Sequence, residues 1–120
     1  MATHKNDVVL SEMSLRQLRG RRRRLAAALP DVADYVAGSL LEQSRRCGKA
    51  GCRCASGGDL HGPYVYLSVG RADGRRGMLY VPETLATLLR ERVALSESVQ
   101  QLLSDISAIN LELLTRRALT

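Results

Sequence analysis

All three cysteines of this chain fall within the eight residues "CGKAGCRC", positions 47–54, and a histidine follows in "GGDLHGPY". The spacing is Cys47-x4-Cys52-x-Cys54, then six residues, then His61. Three thiolates and one imidazole form a tetrahedral zinc set. Gly48, Gly51, Gly57, Gly58 and Gly62 let the backbone bend around an ion, and nothing between 47 and 62 builds an apolar core of its own. A structural Zn2+ on Cys47, Cys52, Cys54 and His61 would supply the organising energy this segment lacks. Lys49, Arg53, Arg45 and Arg46 offset the anionic thiolates and favour them. Two features weigh against it. There is no Cys-x-x-Cys knuckle, and His61 precedes Gly62-Pro63, where it can bond a backbone group and leave the fourth position to water. The competing reading is three reduced cysteines in a mobile basic loop.

A closed four-ligand site leaves no coordination position for substrate, so it is structural rather than catalytic. Asp59 is the sole carboxylate in the cluster, and no Walker loop, Gly-x-Ser-x-Gly or His-Glu-x-x-His run occurs. The chain is read as not an enzyme.

A chain of 120 residues is the size of one domain, and this one has four tyrosines but no tryptophan or phenylalanine. A core of Leu, Val, Ala and Ile buries less area per side chain than an aromatic one. Small domains built this way need support, and metal and self-association are the usual sources. The start, "MATHKNDVVLSEMSLRQ", lacks the basic-then-apolar pattern of a signal peptide, and no apolar run is long enough to cross a bilayer. An odd cysteine count argues against a disulfide framework. The expectation is a cytoplasmic, nucleoid-associated protein with no membrane partner.

Three regions follow along the chain: a basic N-terminal helical region at 1–37, a Cys-rich β unit at 38–82 and a long helix at 83–120, within one structural domain. Residues 1–10 read as frayed. Ser11 or Ser14 caps a helix in which Leu15, Leu18, Leu25 and Leu29 recur at helical spacing, and Pro30 ends it. "PDVADYVAG" reads as a second short helical turn, and "SLLEQSRRCGK" as a short strand. Tyr64 to Val69 and Met78 to Val81 are β-rich runs joined through Asp73-Gly74, a hairpin signal.

From Leu85 to Leu113 there is no glycine or proline. A heptad seam places Leu85, Arg92, Val99, Ile106 and Leu113 at a, and Leu88, Leu95, Leu102 and Ile109 at d. Leu89 and Leu103 widen it, so the helix has room for its twin and for the first helix together. Leu88, Leu95, Val99, Leu102, Ile106, Ile109 and Leu113 are the candidate homo-oligomer interface of a coiled coil.

The formal net charge is +6 and unevenly placed: residues 1–82 hold 14 Lys+Arg against 7 Asp+Glu, and residues 83–120 hold 4 against 5. Such a field suits DNA. Two groups stand out. The first lies on the N-terminal helix, "RQLRGRRRR", with Arg19, Arg21, Arg22, Arg23 and Arg24 as phosphate contacts. The second is Arg45, Arg46, Lys49, Arg53, Arg71, Arg75 and Arg76, spanning the cluster and the hairpin, a candidate two-stranded reader of a groove. Tyr64, Tyr66 and Tyr80 can stack on unpaired bases, although tyrosines on a sheet are more often packing residues.

The runs Cys47-Gly48-Lys49, Cys52, Cys54, then His61-Gly62-Pro63-Tyr64, then Tyr80-Val81-Pro82 carry a resemblance. Over residues 35–115 the chain resembles an uncharacterised bacterial domain family associated with transposons and site-specific recombinases. The resemblance implies that "SLLEQS" is a strand before the cluster, and it implies a role beside mobile-element recombination. The arginine run 21–24 lies outside the segment that carries it.

The expectation is an α+β protein: a basic N-terminal helix, a small zinc-pinned three-stranded antiparallel β unit and a long C-terminal coiled-coil helix. Its expected function is non-catalytic DNA binding as an accessory factor of a recombinase or transposase. The alternative is a protein-interaction adaptor whose long helix and Cys cluster dock on a larger partner.

Overall fold

The structure is a computed structural model that describes residues 9–120; the first eight residues of the expected frayed start lie outside the described residues. It is an α+β fold. Ser14 begins helix α1, Leu15–Ala27, with a capping box. Its hydroxyl accepts from the Gln17 backbone N–H at 3.1 Å, and the Gln17 side chain accepts from the Ser14 N–H at 2.8 Å. Two N–H groups that no earlier turn can satisfy are thereby paired. A single 3-10 turn, Leu10–Glu12, precedes the cap.

Three antiparallel strands follow: β1, Ser39–Arg45; β2, His61–Gly70; and β3, Arg76–Val81, in the order β1-β2-β3. β2 and β3 form the expected hairpin. Gly74 takes φ 81°, and Asp73 accepts from the Arg75 N–H at 3.0 Å, closing the turn. Helix α2 runs Glu83–Thr115, and the Leu85 N–H donates to the Pro82 carbonyl at 2.9 Å in its first turn.

The helical segment expected in 30–38 does not form; an isolated turn at Ala33–Asp34 takes its place. Val32, Tyr35 and Val36 are poor helix formers, and a segment this short cannot offset the cost of nucleation. Val36 packs into the apolar core of the sheet instead.

The chain forms two compact units. In Ala33–Glu97, one face of the sheet packs on the first half of α2. Leu67, Val81, Ala86 and Val93 are buried there, flanked by Leu40, Val65, Val69 and Leu89. Arg90 pairs with Glu42 at 3.3 Å, and Arg92 with Asp34 at 3.2 Å. The unit of Met1–Val32 with Ser98–Thr120 has its own core, in which Leu18, Ile109 and Leu113 are fully buried. Each such side chain contributes about 2 kcal/mol. Arg116 donates to the carbonyls of Met13 at 2.6 Å, Leu10 at 2.9 Å and Ser11 at 3.2 Å, and pairs with Glu112 at 2.9 Å. The end of α2 is a Schellman motif without glycine. Ala118 N–H donates to Leu113 O at 2.8 Å and Arg117 N–H to Leu114 O at 2.9 Å, with Arg117 at φ 56°.

The seam divides accordingly. Val99, Ile109 and Leu113 are buried within the chain itself, and Leu102 and Ile106 are half-buried, so the C-terminal half follows the a/d register. The first half is offset by one position. It buries Ala86, Val93 and Ser96, while Leu85 and Leu88 are 50% and 44% exposed and Leu95 is half-buried. The offset is hidden in the sequence because its pivot is polar: Ser96 is buried, with its hydroxyl donating to the Val93 carbonyl at 2.8 Å.

Candidate metal centre

The sheet builds the site. The last residue of β1, Arg45, lies opposite the first residue of β2, His61, so the intervening loop must start and end at one place. Cys47 sits two residues beyond Arg45, which brings it to the histidine. Inside the loop, the Cys52 N–H donates to the Lys49 carbonyl at 3.1 Å, making a tight turn. A 3-10 helix, Arg53–Ser56, carries Cys54 and ends at Gly57 in the left-handed region, φ 93°. Gly62 is required beside the histidine. It takes φ 115°, and a Cβ there would meet Gln43 O and Tyr64 N, each at 2.9 Å.

The four ligand atoms of Cys47, Cys52, Cys54 and His61 lie within 4.8 Å of one another. Cys47 Sγ is 3.8 Å from Cys54 Sγ, and Cys52 Sγ is 3.1 Å from His61 Nε2. Ligands on a tetrahedral zinc lie about 3.8 Å apart for two sulfurs and about 3.6 Å for sulfur and nitrogen, from bond lengths of about 2.3 and 2.0 Å. The thiol pair already has that separation, and the mixed pair is inside it by a few tenths of an ångström. The site is graded in exposure: Cys54 is buried, Cys52 and His61 are half-buried and Cys47 is exposed. No disulfide links the cysteines. The four residues are compatible with a metal site.

Thiol acidity follows the geometry. The Cys54 backbone N–H holds the Cys52 thiol down to about 6, with the His61 side chain and the Cys54 and Cys47 thiols adding to it. Cys54 moves up: the Cys47 backbone N–H favours its thiolate, but lost hydration and the neighbouring sulfurs outweigh that bond. A metal ligand must be thiolate, so one of the three is close to ready without the ion.

The basic residues divide. Arg46, Lys49 and Arg53 are exposed around the cluster. Arg71, Arg75 and Arg76 are exposed at the hairpin, at the opposite end of the ten-residue β2, roughly 30 Å away. The cysteine loop and the hairpin tip are therefore not side by side. Arg45 lies over the sheet, its guanidinium 5.1 Å from the Tyr66 ring centre and 6.0 Å from that of Tyr64. On α1, Arg19 donates to the Ala118 carbonyl at 3.3 Å, and Arg22 donates to Asn110 Oδ1 at 2.8 Å and to the Thr120 carbonyl at 3.3 Å. Those two fasten the chain's own C-terminal segment. Arg23 and Arg24 are exposed, and Arg21 is half-buried.

Three of the tyrosines come together on the sheet. Tyr66 pairs across the strands with Tyr80, and Tyr64 is two residues along the same face. The alternation Tyr64-Val65-Tyr66 is visible in the sequence; the placing of Tyr80 beside it needs the hairpin register.

Among the described residues no helix is long and apolar enough to cross a membrane. No curated protein and no solved structure matches the chain. Residues 15–91 match a family model that takes in α1 with its arginine run, the whole sheet and all four candidate ligands, a span that starts further upstream than the 35–115 resemblance. By that match the chain belongs to the family described as Domain of unknown function (DUF6788).

Proposed function

We propose that this is a non-catalytic DNA-binding protein whose arginine-bearing loop is held rigid by a structural Zn2+ on Cys47, Cys52, Cys54 and His61. The observation that carries the reading is the convergence of those four side chains within 4.8 Å, where the loop meets the next strand, with Arg46, Lys49 and Arg53 exposed around them and Asp59 the one exposed carboxylate of the loop. When bound, the ion supplies no reaction. It lowers the entropy of the loop and so fixes where three cations stand. The exposed hairpin arginines, Arg71, Arg75 and Arg76, form a second contact roughly 30 Å along β2. Two separated basic contacts suit an extended polyanion better than a compact acidic patch. Arg21, Arg23 and Arg24 add to the field, whereas Arg19 and Arg22 are engaged within the chain. The resemblance to transposon- and recombinase-associated domains supports a place beside a recombinase or transposase in the nucleoid. Homodimerisation through α2 would double the contacts and raise avidity. It would have to use side chains the chain leaves uncovered, such as Leu85 and Leu88.

The test is fluorescence anisotropy of labelled duplex DNA across a salt series. With about six phosphate contacts, affinity falls roughly a thousandfold between 50 and 200 mM salt. Charge reversal at Arg71, Arg75 and Arg76 removes much of the binding. No binding at low salt would reject the reading.

One observation favours the adaptor alternative. Beside α2, an apolar groove of about 350 Å3 is lined by Val36, Leu67, Leu79, Val81, Leu85 and Leu89 among others. Under that reading, charge reversal at the hairpin leaves partner capture intact.

A further inference from the structure

The sheet has a second face, and its composition does not fit an idle surface. Helix α2 packs on the side of Leu40, Val65, Leu67 and Val81. Alternation should leave the other side polar. Instead it carries Tyr64, Tyr66 and Tyr80 on adjacent strands, with Met78 beside them. Tyr80 is 57% exposed and Met78 47%. At one end of the tyrosine group Arg45 lies over Tyr66 and Tyr64. At the other end Arg76 donates to the Ser68 hydroxyl at 2.9 Å, which holds its guanidinium over the same face. The cross-strand partners that share this face, Ser39, Leu41 and Gln43 on β1 among them, include no carboxylate; Glu42 points to the helix side, where it meets Arg90.

We propose that this face binds single-stranded DNA, with unpaired bases stacked on Tyr64, Tyr66 and Tyr80 and phosphates met by Arg45 and Arg76; the proposal rests on the DNA-binding reading above. Aromatic rings flanked by cations are the elements that hold a single strand without reading its sequence. The spacing selects the single strand. Ring centres are 5.9 Å apart for Tyr66 and Tyr80 and 6.4 Å for Tyr64 and Tyr80, with the rings steeply inclined to each other at 68° and 67°. Neighbouring residues of a duplex strand rise only about 3.4 Å. Bases seated on successive tyrosines are therefore pulled out of their mutual stack, which an unpaired strand permits and a duplex does not. Positive charge at both ends and none negative between matches a polyanion laid along the strands.

The experiment uses the full chain loaded with zinc and three probes of about 15 nucleotides: labelled oligo-dT, a labelled duplex and labelled oligo-rU. Anisotropy is read for the native protein and for Tyr80→Ala and Tyr80→Phe, each with a thermal unfolding midpoint as a check on folding. Tyr80→Ala weakens oligo-dT binding roughly tenfold and leaves duplex binding unchanged, while Tyr80→Phe, which keeps the ring, binds as the native chain does. Emission gives a second readout. The chain has four tyrosines and no tryptophan, so its fluorescence is tyrosine fluorescence, and oligo-dT quenches it. Oligo-dT binding that is indifferent to Tyr80→Ala while the duplex still binds overturns this proposal alone. Tighter binding of oligo-rU than of oligo-dT overturns it in favour of RNA. Binding of none of the three probes removes the DNA-binding reading with it.

Discussion

In the unit of Met1–Val32 with Ser98–Thr120, Leu18, Ile109 and Leu113 are fully buried and one arginine ties three carbonyls. Between residues 46 and 60, only Cys54 is buried. The first region folds by apolar burial and paired backbone groups, the ordinary means of a helical pair. The second buries one side chain and pairs only a few backbone groups, such as the Cys52 N–H with the Lys49 carbonyl, yet together with His61 it holds four ligand atoms within 4.8 Å. The contrast teaches where a bound metal would matter. Removing it should unmake a loop of the sheet-bearing unit, whereas core substitutions should act on the helical unit and leave the ligands in place.

The largest effect tests the metal. Chelation, or Cys54→Ser at the buried ligand, abolishes stoichiometric metal by elemental analysis and costs several kcal/mol. Amide exchange should rise across residues 46–60 while α1 stays protected; equal loss of protection in α1 would erase the contrast. Next is Leu18→Ala, which leaves a cavity facing Ile109 and Leu113 and costs about 3 kcal/mol in denaturant unfolding. Metal content should not change. Arg116→Met follows, at about 2 kcal/mol, because the carbonyls of Met13, Leu10 and Ser11 lose a charged donor.

A smaller effect, about tenfold, sharpens the picture inside the cluster. In the metal-free protein Cys52 is held to about 6, so it is mostly thiolate at pH 7 and mostly thiol at pH 5. Its alkylation by iodoacetamide, followed by mass spectrometry, slows about tenfold over that interval as pH falls through the thiol's own value. Cys54, raised and buried, reacts last. The smallest effect is a gain. Arg117 stands in the left-handed region at φ 56°, so Arg117→Gly relieves strain and stabilises the helical unit by about 1 kcal/mol in thermal unfolding.

The elements that depend on local chemistry were legible in the residues. Ser11 or Ser14 marked the start of α1 to within a turn, Asp73-Gly74 the hairpin, and the glycine- and proline-free run the long helix. Each signal lies within a few positions of the structure it specifies. The ligand set was legible for the same reason, since Cys47, Cys52 and Cys54 share one loop and His61 begins the next strand. The segment 30–38 misled because its caps were present but its helix formers were not.

What the sequence alone determined, then, is the order of elements and the chemistry of the cluster, because turns, caps and ligand spacings act over a few residues. Tertiary structure decided which faces are used. It turned the first half of α2 by one position toward the sheet, around a buried serine that no apolar pattern would mark. It set Arg19 and Arg22 against the C-terminal segment rather than solvent, and it brought Tyr80 alongside Tyr64 and Tyr66 through strand register. Those outcomes depend on partners tens of residues distant along the chain, and packing selects among faces that are locally equivalent.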